Sequence, residues 1–443
     1  MKTKLKGSQV VAYGFFGMFL NTFYLMFLAY FRLIYLTDVL KLSTTVSAIV
    51  NSLATWGNVV TMLLAGVLID KVNFKTGKYR TWTLVGGIIM GISFPLLFSN
   101  LGLSQGAAGA MFIVMFIVQS IGYNCLWVAE RSLVGPMSSC SQDATNLAMA
   151  AQQASTIGSL AFGVLNTPLM SALGGSYTLS ALIYGLFITG GTVGMFFLAK
   201  NYDTGAAPAP VAPKQEKAKG GTLAALTGPV IPFVIAMILT NAHLGFFMTL
   251  LAYFTQYVLN DPAILSISVA AGALAGLLGA WVSTIVCRKM GKKMAFVIFT
   301  LLTGLLYMMI AWFGSSSIPF LIIRIAIGAF SVVGGMLIPV FANDISDYNL
   351  MKYGKDNRAV IQSISGTTIR MGTALATTIA SFGLAAVGYS ATAEITPTII
   401  SAITALMAYG PAAVCVLSAL TFIFYKVDEK ELDAWRAEQF SNK

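Results

Sequence analysis

The chain has 443 residues, of which 57% are hydrophobic and 10% charged, and a net charge of +11. A soluble domain of ordinary composition carries about 25% charged residues, so that class is excluded in favour of a polytopic protein embedded in the lipid bilayer. The positive charge does not point to nucleic acid, because it sits in alternate short loops rather than in one patch.

Crossing the hydrocarbon core takes roughly 20 mostly apolar residues, since backbone groups there must pair within the helix. The sequence predicts such helices at Tyr13–Leu36, Ser43–Ile69, Trp82–Phe98, Ala107–Val134, Thr145–Met170 and Tyr177–Ala199. A second set follows at Val230–Val258, Ile264–Val286, Met294–Phe313, Ile318–Val340, Ile361–Val387 and Thr396–Phe424. The expected class is therefore all-α, with twelve transmembrane helices in two six-helix halves. MKTKLKGSQ has the charge of a signal peptide, but the apolar run behind it is too long and lacks a convincing cleavage site, so it is read as a permanent span.

Lys2, Lys4 and Lys6 precede the first span, and Lys71, Lys75, Lys78 and Arg80 follow the second. Basic residues recur after spans six, eight, ten and twelve, whereas the intervening loops carry only Lys41. By the positive-inside rule both termini are cytoplasmic, in a multi-pass protein of the inner (cytoplasmic) membrane. The stretch NYDTGAAPAPVAPKQEKAKGG cannot bury an apolar face and reads as a linker. The expected organisation is a six-helix bundle over residues 1–199, a cytoplasmic linker over 200–224, a second bundle over 225–425 and a tail over 426–443.

Polar groups inside spans are expensive and mark candidate sites. SLATWGNVVTM in span two holds Ser52, Thr55, Asn58 and Thr61 without a charge. Span four carries Tyr123, Asn124, Trp127, Glu130 and Arg131 along one broad side. Trp127 either stacks on a sugar's C–H face while Asn124 and Tyr123 bond hydroxyls, or simply packs against a neighbouring helix. Arg370 and Thr373 share a stripe of span eleven, and Arg370 lies deep enough to need an anionic partner, either Glu130 or a solute carboxylate, sulfonate or phosphate. Asn21 in span one and Gln153 in span five are further solute contacts on this reading, and amides also tie helices together. Glu130 and His243, the only histidine, are the candidates for proton coupling.

Asp70, Asp344 and Asp347 fall near the basic face with Lys78, Arg80 and Arg358, where charges are expected to cap helices and form ion pairs that break as the molecule changes state. Neither HExxH nor a convergent carboxylate pair occurs in the spans. Cys125, Cys140, Cys287 and Cys415 lack metal-ligand spacing, so no metal, cofactor or enzymatic activity is expected.

The basic loop IDKVNFKTGKYRTW has a shorter counterpart in CRKMGKKMAF, and six-span parallel repeats of this kind resemble the major facilitator build, which implies alternating access. GVLIDKVNFKTGKYRTW, the opening YGFFGMFLN and YLTDVLKLS, and NDISDYNLMKYGKDNRAVIQSISGTTIRMG also resemble motifs of the glycoside-pentoside-hexuronide:cation symporters, the melibiose permease family. Thr81 stands where that loop motif usually has proline. The resemblance implies a secondary transporter of a sugar, glycoside or hexuronide-like solute, functional as a monomer. It places Asn58 and Met62 at two cation-binding aspartates, Trp127 at a sugar-binding carboxylate, and Arg370 at a common lysine. Neutral oxygens and a thioether suit sodium poorly, so the coupling cation is expected to be H+ rather than Na+. Uniport or exchange of a non-sugar organic anion or amphiphile on the same scaffold is the alternative, and a polytopic enzyme is the alternative of another class.

Overall fold

The computed structural model describes residues 5–72, 74–138, 141–204, 229–353, 358–389, 395–429, 431–432 and 434–435. Among the described residues twelve long helices follow one another, with no strand. They are α1 Gly7–Val39, α2 Thr44–Lys71, α3 Lys78–Leu97, α4 Gln105–Met137, α5 Ser141–Ala172 and α6 Tyr177–Leu198. Then come α7 Val230–Val258, α8 Ala263–Met290, α9 Lys292–Phe313, α10 Ser317–Tyr353, α11 Arg358–Ala386 and α12 Pro397–Ile423. Ten are long and apolar enough to cross a membrane, and α8 adds the shorter apolar stretch Ala263–Gly279. α5, interrupted by Asn146, Gln152, Gln153 and Asn166, falls short of that measure.

Local chemistry sets several helix starts. Ser43 and Ser176 accept from the backbone N–H groups of Val46 and Leu179, each at 3.3 Å, and so start α2 and α6. Gly77 and Gly291, with φ of 127° and 81°, turn the chain into α3 and α9. α10 runs past the predicted end at Val340 to Tyr353, because Ile345 and Tyr348 pack into a core with Phe341, Phe296 and Phe422.

The chain divides into two compact units. The first comprises Met1–Ala209 with Leu251–Ala273 and Ser381–Ile400; the second comprises Pro210–Leu250, Leu274–Ala380 and Ser401–Lys443. The first unit is held by aromatic packing of α1, α3 and α6, where Phe27 meets Phe98 at 5.0 Å and Tyr184 at 5.3 Å. Water drives no helix association within lipid, so close backbone approach and dispersion carry the packing. A methyl on Gly86 would lie 2.6 Å from the Gly122 carbonyl oxygen, and one on Gly14 would lie 2.7 Å from that of Ala150, so α3–α4 and α1–α5 each need a residue without a side chain.

α2 shows how one helix serves two environments. Ile49, Leu53, Trp56, Val60, Leu64 and Leu68 form an exposed apolar stripe at helical spacing, suited to lipid. Ser47, Asn51, Ser52, Thr55 and Thr61 are buried on the other side, and Thr55 and Thr61 donate to the carbonyls of Asn51 and Asn58 at 2.7 and 3.1 Å.

Candidate functional site

In the first unit the polar faces of α2 and α4 meet. The Asn124 side-chain N–H2 donates to Asn58 Oδ1 at 2.9 Å and lies 3.3 Å from the Asn58 carbonyl oxygen and 2.9 Å from Thr61 Oγ1. A neutral amide thus sits among three oxygens of α2, at the place where the family resemblance puts a cation. Asn124 is fully buried, and neither its Oδ1 nor Asn21 Oδ1 has a hydrogen-bond partner among the described residues. Tyr123 is nearly buried, its ring 5.7 Å from that of Tyr24 on α1.

Nearly two turns further along α4, the backbone carbonyl of Glu130 accepts from the Tyr13 hydroxyl at 2.9 Å, while Glu130 Oε1 is buried with no hydrogen-bond partner among the described residues. The carboxyl lies against Gly17 of α1, where a methyl would come within 3.5 Å of Oε1. Gly17 belongs to a π-turn over Phe15–Phe19 that widens α1 opposite this acid. Arg131 is exposed, and its guanidinium carbon stands 4.1 Å from the Trp127 ring centroid. This stack sets a fixed positive fork beside an aromatic face. Gln153 is exposed on α5.

The remaining interior candidates belong to the second unit. Arg370 is half-buried on α11, and the Thr373 hydroxyl donates to its own helix at the Ile369 carbonyl, 3.0 Å away. His243 is buried with Nδ1 against the Thr240 carbonyl and its ring edge-on to Tyr307 at 5.8 Å. The Nδ1 contact leaves Nε2 as the acceptor face, and Nε2 has no hydrogen-bond partner among the described residues. Arg324, on α10, lies 4.4 Å from the Phe247 ring centroid.

At the basic loops two carboxylates that sequence reasoning missed hold helix starts. Asp203 accepts from the backbone N–H groups of Lys78, Tyr79 and Arg80 at 3.1, 2.6 and 2.8 Å, satisfying the first turn of α3. A methyl on Gly77 would collide with the Asp203 backbone and the Arg80 side chain, which explains glycine in GKYR. Glu429 does the same for α9, accepting from Lys292 and Lys293 at 3.3 and 3.1 Å. In sequence these acids are inconspicuous, and only their matching places after α6 and α12 mark them. Arg80 is buried over Phe196 with its Nε on the Thr76 carbonyl, and Lys78 lies over Tyr79. Asp344 is buried and paired with Lys292 at 2.5 Å, and Asp347 is half-buried. The side chains of Asp70 and Arg358 lie outside the described residues.

The chain matches the MFS/sugar transport protein family over residues 5–429. It belongs to that family. Across 376 residues it is 23% identical to the isoprimeverose transporter of Lactiplantibacillus pentosus, covering 83% of this chain and 78% of the relative. Across 444 residues it is also 23% identical to the glucuronide carrier protein homolog of Escherichia coli (strain K12), covering 97% and 95% of the two chains. Among solved structures, a mutant of the nucleoside transporter NupG superposes with a TM-score of 0.70 at 14% identity, covering 95% of this chain and 99% of that one. A peptide transporter POT with bound sulfate gives 0.68 at 13% identity, covering 95% of each. The resemblance to glycoside-pentoside-hexuronide carriers and the all-α major facilitator fold are borne out, and this family member is a transporter rather than an enzyme.

Proposed function

We propose that the protein is a secondary active transporter of a small, polar, sugar- or hexuronide-like solute, working by alternating access with H+ rather than Na+ as the coupling cation. The observation that carries this reading is the pairing on α4 of a buried acid, Glu130, with the exposed Arg131–Trp127 stack. An acid with one buried, unpartnered oxygen beside a solute surface is placed to take and release a proton as solute comes and goes. The Asn124 amide supports H+ over Na+, because three α2 oxygens already face an N–H2 group that brings no negative charge for a cation.

The positive-inside loops support an orientation with both termini in the cytoplasm of a cell whose cytoplasmic membrane holds the protein. Asn21, Asn58, Tyr123 and Asn124 are read as hydroxyl partners, and Arg131 and Arg370 as partners of an acidic group. Isoprimeverose and a glucuronide, which the names of the two relatives give, suit such a surface. A second reading, carriage of a non-sugar organic anion, rests on the same exposed Arg131. The test is uptake into proteoliposomes of labelled glucuronide against labelled organic acids, each with and without sodium. Saturable glucuronide uptake supports the first reading, organic-acid uptake alone supports the second, and neither sinks both.

A further inference from the structure

The end of α1 away from the N-terminus carries a hydrogen-bonded cluster that the transport reading does not use. α1 and α7 both finish in a π-turn, Tyr35–Val39 and Phe254–Val258, and each is followed by a residue of positive φ, Lys41 at 50° and Asn260 at 52°. Such turns are uncommon, and positive φ is costly for a residue with a side chain, so their repetition at matching places points to a shared task. The fourth residue of each turn is Asp38 in one and Tyr257 in the other, and the Tyr257 hydroxyl donates to Asp38 Oδ2. From just beyond α11, the Tyr389 hydroxyl donates to Asp38 Oδ1 at 2.7 Å. Thr37 donates to the same oxygen at 2.6 Å, while its own oxygen lies 2.8 Å from the Tyr253 hydroxyl. All of these residues belong to the first unit.

We infer that Asp38, Tyr257 and Tyr389 form a latch that holds the outer ends of α1, α7 and α11 together and must open once in every transport cycle. The inference rests on the alternating-access reading and on the cytoplasmic N-terminus.

Three features distinguish a latch from a fixed brace. First, the carboxylate is satisfied by hydroxyl donors, and no base among the described residues forms an ion pair with it. Water can replace hydroxyls one for one when the ends part, so opening strands no buried counter-charge. Second, the donors come from helices far apart in sequence, and the Thr44 hydroxyl at the start of α2 bonds the Tyr389 carbonyl, so α2 is drawn into the same closure. Third, Asn51 of α2 donates to Ser381 of α11 at 2.7 Å, a second polar bond between the helices that the cluster joins. Burial, with Tyr253 and Asp38 beside it, holds the Tyr389 phenol far above its ordinary pKa, which keeps it a donor at every working pH.

The test uses the full chain with Cys125, Cys140, Cys287 and Cys415 replaced and Ser381→Cys as reporter. In that protein the reporter is buried, and a membrane-impermeant maleimide applied from the outer face labels it slowly. Asp38→Asn is expected to raise the labelling rate about tenfold, the loss of charge-assisted bonds read as a population shift. Tyr257→Phe and Tyr389→Phe, which keep ring packing, are expected to raise it by smaller factors and to leave thermal stability in detergent unchanged. Because these two variants are nearly isosteric, they decide the matter even where Asp38→Asn does not fold. Labelling unchanged in folded Tyr257→Phe and Tyr389→Phe proteins overturns the latch, as does an equal rise when the single reporter is instead Ser418→Cys, buried in the second unit. Glucuronide counterflow is read in the same preparations. Its absence from the parent counts against the proposed solute, while the labelling rates still decide the latch.

Discussion

The two units cap their third helices with the same device yet differ in what they bury. Asp203 holds the start of α3 through three backbone N–H groups, and Glu429 holds the start of α9 through two. The first unit has a buried acid and an exposed stacked arginine on α4 and an amide cluster between α2 and α4, whereas the second has His243, Arg324 and Arg370 on three different helices. The frame is repeated and the interior is not. The repeated parts maintain geometry, and the unrepeated ones are where we propose that solute and coupling cation are recognised.

The sharpest way to break that contrast is to remove an interior charge. Arg370→Ala is expected to lower solute uptake about 100-fold or more, the cost of removing the proposed partner of the solute's acidic group, while the amount of folded protein stays the same. Normal uptake by a folded variant would take Arg370 out of the recognition surface. Glu130→Gln comes next. Each pH unit of gradient is worth about tenfold in accumulation for a one-proton symporter, and this variant should lose that accumulation while still exchanging solute across the membrane. Measuring counterflow and gradient-driven uptake on the same vesicles separates the two, and a retained response to the gradient would move coupling elsewhere.

The frame should respond in stability rather than in coupling. Asp203→Ala is expected to cost about 2 kcal/mol, since three charge-assisted bonds to a helix start are lost, and to lower the melting temperature in detergent. Glu429→Ala, with two longer bonds, should cost about 1 kcal/mol or less. Equal losses at the two caps would mean that bond number and length are not what sets their strength. Neither substitution should change the dependence of residual uptake on the pH gradient.

Much of the frame was legible in the sequence, because apolar runs and alternate basic loops follow directly from the cost of an unpaired backbone in lipid. GKYRTW was readable as a loop motif, and the structure supplies its reason in the backward turn at Gly77. Asp203 and Glu429 were not legible, since a lone acid beside a helix end looks like any solvated loop residue until the helix it caps is in place. Asp38 lies within YLTDVLKLS with no polar pattern of its own, and its tyrosine partners lie more than two hundred positions away. α4 gave up its stripe by spacing alone, but spacing could not show that Asn124 turns its amide to α2 while Arg131 stacks on Trp127. Side-chain direction at a polar cluster is settled by which donors and acceptors find one another in three dimensions.

The measurement that bears most directly on the central claim is uptake of a labelled methyl glucuronide by proteoliposomes under an imposed pH gradient, acid outside, against an equal inward sodium gradient. The buried Glu130 and the neutral Asn58–Asn124–Thr61 cluster predict accumulation driven by the pH gradient and indifferent to sodium. Accumulation driven by sodium with no response to the pH gradient would contradict it.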